Sequence, residues 1–155
     1  MSRTRFAAAT AAGLVALMVA TTPMVVAKGR PLKAELTGAA EVPGPGDADG
    51  SGIARLRLNQ GRHRICYTIN VQDITLPAVA AHIHVGDASV AGPVVVTLTP
   101  PDETGESKGC ATGVERSLIK AIRKHRDDYY VNVHTTDFPA GAIRGQLEKW
   151  APGRR

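Results

Sequence analysis

The chain has 155 residues, a formal net charge of +5 at pH 7 and only 4% aromatic residues. This length accommodates one domain rather than several. A basic chain can bind nucleic acid, but so few aromatic residues leave little surface on which bases could stack, so a nucleic-acid-binding protein is disfavoured. The basic clusters at 55–64 and 120–126 are interpreted as solvated faces.

The first 27 residues have the three parts of a secretory signal peptide. Two arginines precede an apolar, alanine-rich run over 6–20, and Ala27 supplies the small residue at which a signal peptidase cuts. The apolar run is shorter than the roughly 18 residues that span a bilayer, although a retained membrane anchor is the alternative. We expect 1–27 to be removed, leaving 28–155 as a single secreted domain without a transmembrane segment.

The only two cysteines are Cys66 and Cys110. In an exported protein, an even cysteine count predicts a disulfide bond, and two unpaired buried thiols are the alternative.

The first half of the mature chain shows the alternation of apolar and polar residues that is typical of strands. It predicts strands over 32–37, 52–59 and 64–71, the last two joined as a β-hairpin by a short turn. The segment 41–50, rich in proline and glycine, is expected to be a surface loop. On the strand over 64–71, Cys66 faces away from the core stripe formed by Ile65, Tyr67, Ile69 and Val71.

The second half adds more strands and one helix. The pattern predicts a strand, a loop and a second strand across 80–98, a loop over 99–105, and later strands over 107–111, 129–135 and 142–150. Between these strands, Thr112 and Glu115 have capping-box spacing, and helical spacing recurs at Val114, Leu118, Ala121 and Ile122. Seven or eight short strands with one helix predict an all-β antiparallel sandwich or barrel.

The histidines supply the clearest candidate chemistry. His82 and His84 are two positions apart on one strand and therefore share a face, and the same alternation puts Tyr130, Asn132 and His134 together on a later strand. If the two strands are neighbours, three imidazoles converge as ligands for zinc or copper. Asp87 or Asp137 could add an oxygen ligand or orient a histidine. Histidines that merely hydrogen-bond to nearby loops are the alternative.

The patterns that enzymes commonly show are missing from the sequence. Ser89, Ser107 and Ser117 lack the glycines of a nucleophile elbow, and no glycine-rich phosphate loop opens a helix. A catalytic residue is therefore not assigned, and a hydrolase or transferase is disfavoured.

Four ordered motifs resemble the CHRD domain, which is named after the secreted protein chordin and also occurs in short exported microbial proteins. The resemblance covers about 32–148, and its motifs are Ala81-His82-Ile83-His84, Ala91 to Leu98, Tyr130 to Thr135 and Phe138 to Leu147.

The resemblance implies an immunoglobulin-like β-sandwich similar to copper/zinc superoxide dismutase, without a known activity. His82, His84 and His134 are too few for the bimetallic centre of that enzyme, so dismutase activity is disfavoured while a single copper or zinc ion stays open. The favoured function is a non-catalytic extracellular module that binds a protein or an envelope polymer through its loops, and an inert structural component is the alternative. Arg144, in the last motif, is expected to pair with a carboxylate beneath the sheet or to hold an anion.

Overall fold

A computed structural model describes residues 30–151, so the predicted signal peptide lies outside the described part of the chain. Nine strands, one α-helix and three short 3-10 turns make up this part. The strands are β1 (Arg30–Thr37), β2 (Ser51–Asn59), β3 (Arg64–Gln72), β4 (Ala80–Val85), β5 (Val94–Leu98), β6 (Glu106–Thr112), β7 (Tyr129–His134), β8 (Ile143–Gln146) and β9 (Glu148–Lys149). Helix α1 is Arg116–Lys124, and the 3-10 turns are Gly38–Ala40, Gln60–Arg62 and Arg126–Asp128.

The strands form one continuous antiparallel sheet in the order β5-β4-β7-β8-β1-β2-β3-β6, and β9 adds a short pairing to β1. The sheet curls until its outermost strands, β5 and β6, lie near each other, so it is a nearly closed barrel. The prediction of an all-β fold with one helix is confirmed.

The core lies inside the curled sheet because alternate residues of every long strand point inward. On β3 the buried residues alternate with partly exposed ones, as the sequence predicts, and the core positions of neighbouring strands pair directly, as Leu56 does with Leu32 and Tyr67. Helix α1 buries Ile119 and Ile122 against the same core. None of the helices in the described part of the chain is long and apolar enough to cross a bilayer.

The disulfide joins two strands on the outer face of the sheet. Cys66 on β3 and Cys110 on β6 are bonded to each other and are directly opposite in the strand register. The expected disulfide is therefore present, and it lies off the core stripe as the alternation on β3 predicts.

The predicted capping box at the start of the helix is wrong. Thr112 is the last residue of β6, and α1 begins at Arg116 after Glu115, which makes no side-chain capping bond. The intervening Val114 is buried, and its N–H donates to the carbonyl of His63 at 3.0 Å. This tertiary contact holds the segment in a turn before the helix can start.

The last predicted strand is divided in two. β8 lies between β7 and β1, β9 continues along β1 in the same register, and the break falls at Leu147. Leu147 is fully buried and its N–H donates to the carbonyl of Tyr129 at 2.8 Å. Beyond this residue the chain continues along β1, which places Trp150 beside the start of that strand.

Candidate metal centre

Strands β4 and β7 are hydrogen-bonded neighbours, which brings the three histidines together. His82 pairs with Asn132, and Ala80 pairs with His134, so His134 lies diagonally beside His82 on the outer face of the sheet. One nitrogen from each of His82, His84 and His134 lies within 4.8 Å of the other two. Diagonal neighbours on one face of an antiparallel pair are within reach of long or aromatic side chains, which explains the convergence.

The shortest approach among these rings is between two nitrogens. Nδ1 of His82 lies 3.2 Å from Nε2 of His134. Two ligand nitrogens of a tetrahedral zinc ion, each about 2.0–2.1 Å from the metal, are roughly 3.3 Å apart. The spacing of this pair already matches that of two ligands to one ion.

Backbone carbonyls set the tautomers of two of the rings. Nδ1 of His84 donates to the carbonyl of Gly92 at 2.8 Å, and Nδ1 of His134 donates to the carbonyl of Pro139 at 3.1 Å. A neutral imidazole whose Nδ1 carries the proton has its lone pair on Nε2. The lone pair of each ring therefore lies on Nε2, where a metal ion would bind, with the carbonyls as orienting groups.

The Nε2 atom of His84 has no hydrogen-bond partner among the described residues, although it is buried. A buried nitrogen that lacks a partner is destabilising, because its water has been removed without replacement. A metal ion held by the three histidines would satisfy this atom, so the residues present fit such an ion.

Burial also keeps the three imidazoles neutral. Removal from water lowers the pKa of His82, His84 and His134 below the usual value near 6.5, and neighbouring positive charge, including that of Arg144 near His84, acts in the same direction. Neutral imidazole is the form that binds metal ions. The three side chains are therefore in the ligating state at neutral pH.

A tyrosine and an arginine support His84 from the neighbouring strands. The Tyr130 ring stacks on His84 with centroids 4.8 Å apart, and the guanidinium carbon of Arg144 lies 3.5 Å from the centroid of the same tyrosine ring. The Tyr130 hydroxyl accepts a hydrogen bond from the Gly92 N–H at 3.0 Å. A side chain at Gly92 would overlap the carbonyl of Val85, so only glycine lets this loop lie so close to the strand.

The two aspartates that the sequence suggests as orienting groups have other partners. The carboxylate of Asp87 accepts hydrogen bonds from the backbone and hydroxyl of Ser89, and that of Asp137 accepts from Thr75 and Thr136. Nδ1 of His84 and Nδ1 of His134 donate instead to loop carbonyls, which composition alone does not reveal.

Arg144 is not in an ion pair. The ion pairs within residues 30–151 are those of Lys33, whereas Nη2 of Arg144 donates to the carbonyl of Asp87 at 2.6 Å. The expected pairing with a carboxylate is thus not seen, although Arg144 is almost completely buried. Its contacts fasten the loop after β4 over the histidines.

Sequence reasoning missed a buried carboxylate beside this site. Glu41 lies under the loops, 6% exposed, and its Oε2 accepts a hydrogen bond from Asn132 at 3.2 Å. Burial raises its pKa to about 7, against the opposing effects of Asn132 and of the positive charge of Arg144. The sequence shows only a loop glutamate at this position, and nothing local signals its burial.

Comparison with known families adds one finding. A family model described as the CHRD domain matches residues 32–147, about three quarters of the chain. No curated protein matches the chain.

Proposed function

Because this chain belongs to the CHRD-domain family, we propose that it is an exported, non-catalytic module that binds one zinc or copper ion at His82, His84 and His134. In this proposal 1–27 form the signal peptide and 28–155 the secreted domain. The disulfide supports export, since such bonds persist in oxidising compartments. The immunoglobulin-like sandwich of the dismutase type is the arrangement that we propose for the two halves of the curled sheet.

The observation that carries the proposal is the convergence of three neutral imidazoles, with one nitrogen of each within 4.8 Å of the others. Three histidines leave a fourth position open to water or to a ligand from a partner. Imidazole ligands suit zinc and copper better than calcium or magnesium, which prefer oxygen. The ion would join β4 to β7 and order the loops that carry Gly92 and Pro139.

Calorimetric titration of zinc and copper into the metal-free exported protein tests the site. We expect one ion per chain with a dissociation constant below about 10 μM. His63 and His125 lie outside the cluster and provide a matched control, because their replacement by alanine should leave the affinity unchanged. Binding weaker than about 10 μM, or binding that is lost in the control variants, would contradict the proposal.

We also expect no dismutase activity from the loaded protein, because the cluster contains only three histidines. Superoxide decay should be no faster with the copper-loaded protein than with an equal concentration of free copper. A faster rate would assign the site a catalytic role.

A further inference from the structure

The outer face of the sheet carries a second surface, far from the histidines in the strand order, on β2, β3 and β6. Two grooves of about 470 and 370 Å³ share Trp150 as a wall. The floor of the larger groove includes the Cys66–Cys110 disulfide and Gly109. We call these two grooves together the Trp150 surface.

The Trp150 surface is strongly cationic. Arg55, Arg57 and Lys108 line the larger groove, and the smaller one is lined by Arg123, Arg126 and Lys149. Within residues 30–151, no aspartate or glutamate lines either groove. Glu35 and Glu148, on neighbouring strands, both lie in ion pairs with Lys33, at 2.6 and 3.0 Å. Six positive side chains therefore face these grooves without an acidic residue among them.

The tryptophan holds two of these cations in place. The guanidinium carbons of Arg55 and Arg57 lie 5.5 and 5.7 Å from the Trp150 ring, within the range of cation–π contacts. The two arginines share the outer face because they are two positions apart on β2. The backbone N–H of Trp150 donates to the carbonyl of Pro31 at 3.3 Å, which holds the main chain at Trp150 beside β1. These contacts place the two guanidinium groups side by side at the indole.

We propose that the Trp150 surface binds an acidic polysaccharide. Guanidinium groups match the geometry of carboxylates and sulfates, and hydrogen bonds between charged partners are the strong ones. The indole and the disulfide floor offer apolar area for the C–H face of a sugar ring. Two adjacent grooves with cations in each suit a repeating anionic chain better than one small anion.

Nucleic acid fits this surface less well. Proteins that bind single strands stack successive bases on several aromatic side chains. Among the described residues that line the two grooves, Trp150 is accompanied only by Tyr67, which is buried and whose hydroxyl hydrogen-bonds to Thr99. One indole among six cations is the pattern expected for a charged sugar polymer.

Trp150 is the only tryptophan of the chain, so its fluorescence reports directly on this surface. We would titrate the exported protein with oligogalacturonate, a chain of carboxylated sugars, and use a neutral dextran of matched length as the control. We expect a saturable change in emission with oligogalacturonate that weakens as salt rises, and none with dextran. Absence of a saturable change, or an equal change with dextran, would overturn the proposal.

Two double variants test whether binding depends on the Trp150 surface or on positive charge anywhere on the protein. Exchanging Arg55 and Arg57 together for glutamine should weaken binding about tenfold, since each exposed charge contributes modestly. Exchanging Lys120 and Lys124 for glutamine removes the same charge from exposed positions on α1 that line neither groove, and should change affinity less than about twofold. Equal losses in the two double variants, with unchanged circular dichroism, would overturn the proposal.

A third variant tests whether the surface recognises the sugar ring as well as the negative charge. By calorimetry, Trp150→Ala should weaken oligogalacturonate binding about fivefold or more, and the binding of polyglutamate of equal charge by less, because only the sugar packs on the indole. Equal loss for both polymers would contradict a polysaccharide site. Tighter binding of a single-stranded oligonucleotide of the same charge than of oligogalacturonate would do so too.

Discussion

The two outer regions of this sheet both carry polar residues but differ in what covers them. Over β4, β7 and β8, loops bury His84, Asn132 and Arg144. Over β2, β3 and β6, the cations around Trp150 remain open to solvent in two grooves. The same strand alternation that places a polar side chain outward therefore leads to different chemistry. Beneath loops, the histidines are neutral and can act as ligands, whereas the basic side chains on the open face keep their charge and attract anions.

Removing the disulfide should have the largest effect on stability, and it tests whether the two regions are independent. Replacing both Cys66 and Cys110 by serine should lower the free energy of unfolding by about 4 kcal/mol, because the bond closes a loop with a sequence separation of 44. We expect the zinc affinity of the folded variant to stay within about twofold of the parent, since the histidines lie on other strands. Denaturant unfolding and zinc titration measure the two quantities. Loss of zinc binding in a folded variant would show that the regions are coupled.

Removing one histidine ligand should weaken metal binding at the three-histidine site. His84→Ala is expected to weaken zinc binding by about a hundredfold or more, because two imidazoles are left to hold the ion. His125→Ala, a change on an exposed residue, serves as the control. Competition with a coloured chelator measures both affinities, and similar values for the two variants would contradict the three-histidine site.

The buried carboxylate of Glu41 predicts that the stability of the fold depends on pH. The pKa of Glu41 is raised from 4.5 to about 7 by burial, so the folded protein binds more protons than the unfolded chain between these values. Stability contributed by protonated Glu41 is full below pH 4.5 and is lost as pH rises through 7. Glu41→Gln keeps the shape of the side chain and an acceptor for Asn132 but does not titrate. The free energy of unfolding of the variant, relative to that of the parent, should therefore increase by about 2 kcal/mol from pH 5 to pH 8.

Urea unfolding of the parent and Glu41→Gln at both pH values provides this measurement. The histidines, whose pKa values are lowered, make stability rise with pH up to about 6.5, and this effect cancels because both proteins contain them. A stability difference that does not change with pH would show that Glu41 is not buried as a neutral acid.

The smallest effect is expected at the tyrosine that supports the Gly92 loop. Tyr130→Phe keeps the ring on His84 but removes the hydroxyl that binds the Gly92 N–H. We expect zinc affinity to fall by about tenfold, the low end for a group that acts through an orienting partner. An unchanged affinity would mean that stacking alone holds His84.

The alternation of residues was enough to predict the faces of the strands, but not which strands are neighbours. His82, His84 and His134 each point outward as the pattern indicates, yet their convergence depends on the pairing of β4 with β7, which the local sequence does not specify. The seven or eight short strand patterns were enough to predict the all-β fold, and the family resemblance added the immunoglobulin-like sandwich.

Long-range contacts also explain why the sequence does not predict the Trp150 surface, the true start of the helix or the burial of Glu41. The local sequence predicts only a solvated face for the basic residues of β2, because Trp150 lies more than 90 positions later and reaches Arg55 through the pairing of β9 with β1. The capping box failed for the same reason, since a contact between Val114 and His63 overrides the local signal. Glu41 is buried by loops whose courses no periodicity describes.

The most direct test of the metal centre is a long-range ¹H–¹⁵N correlation spectrum of the imidazole rings, with and without one equivalent of zinc. We expect His84 and His134 to carry their protons on Nδ1 before zinc is added, as the carbonyls of Gly92 and Pro139 require. Zinc should then shift the Nε2 resonances of both rings and leave His63 and His125 unchanged. Protons on Nε2 in the metal-free protein, or zinc shifts confined to His63 and His125, would contradict a site formed by the three converging histidines.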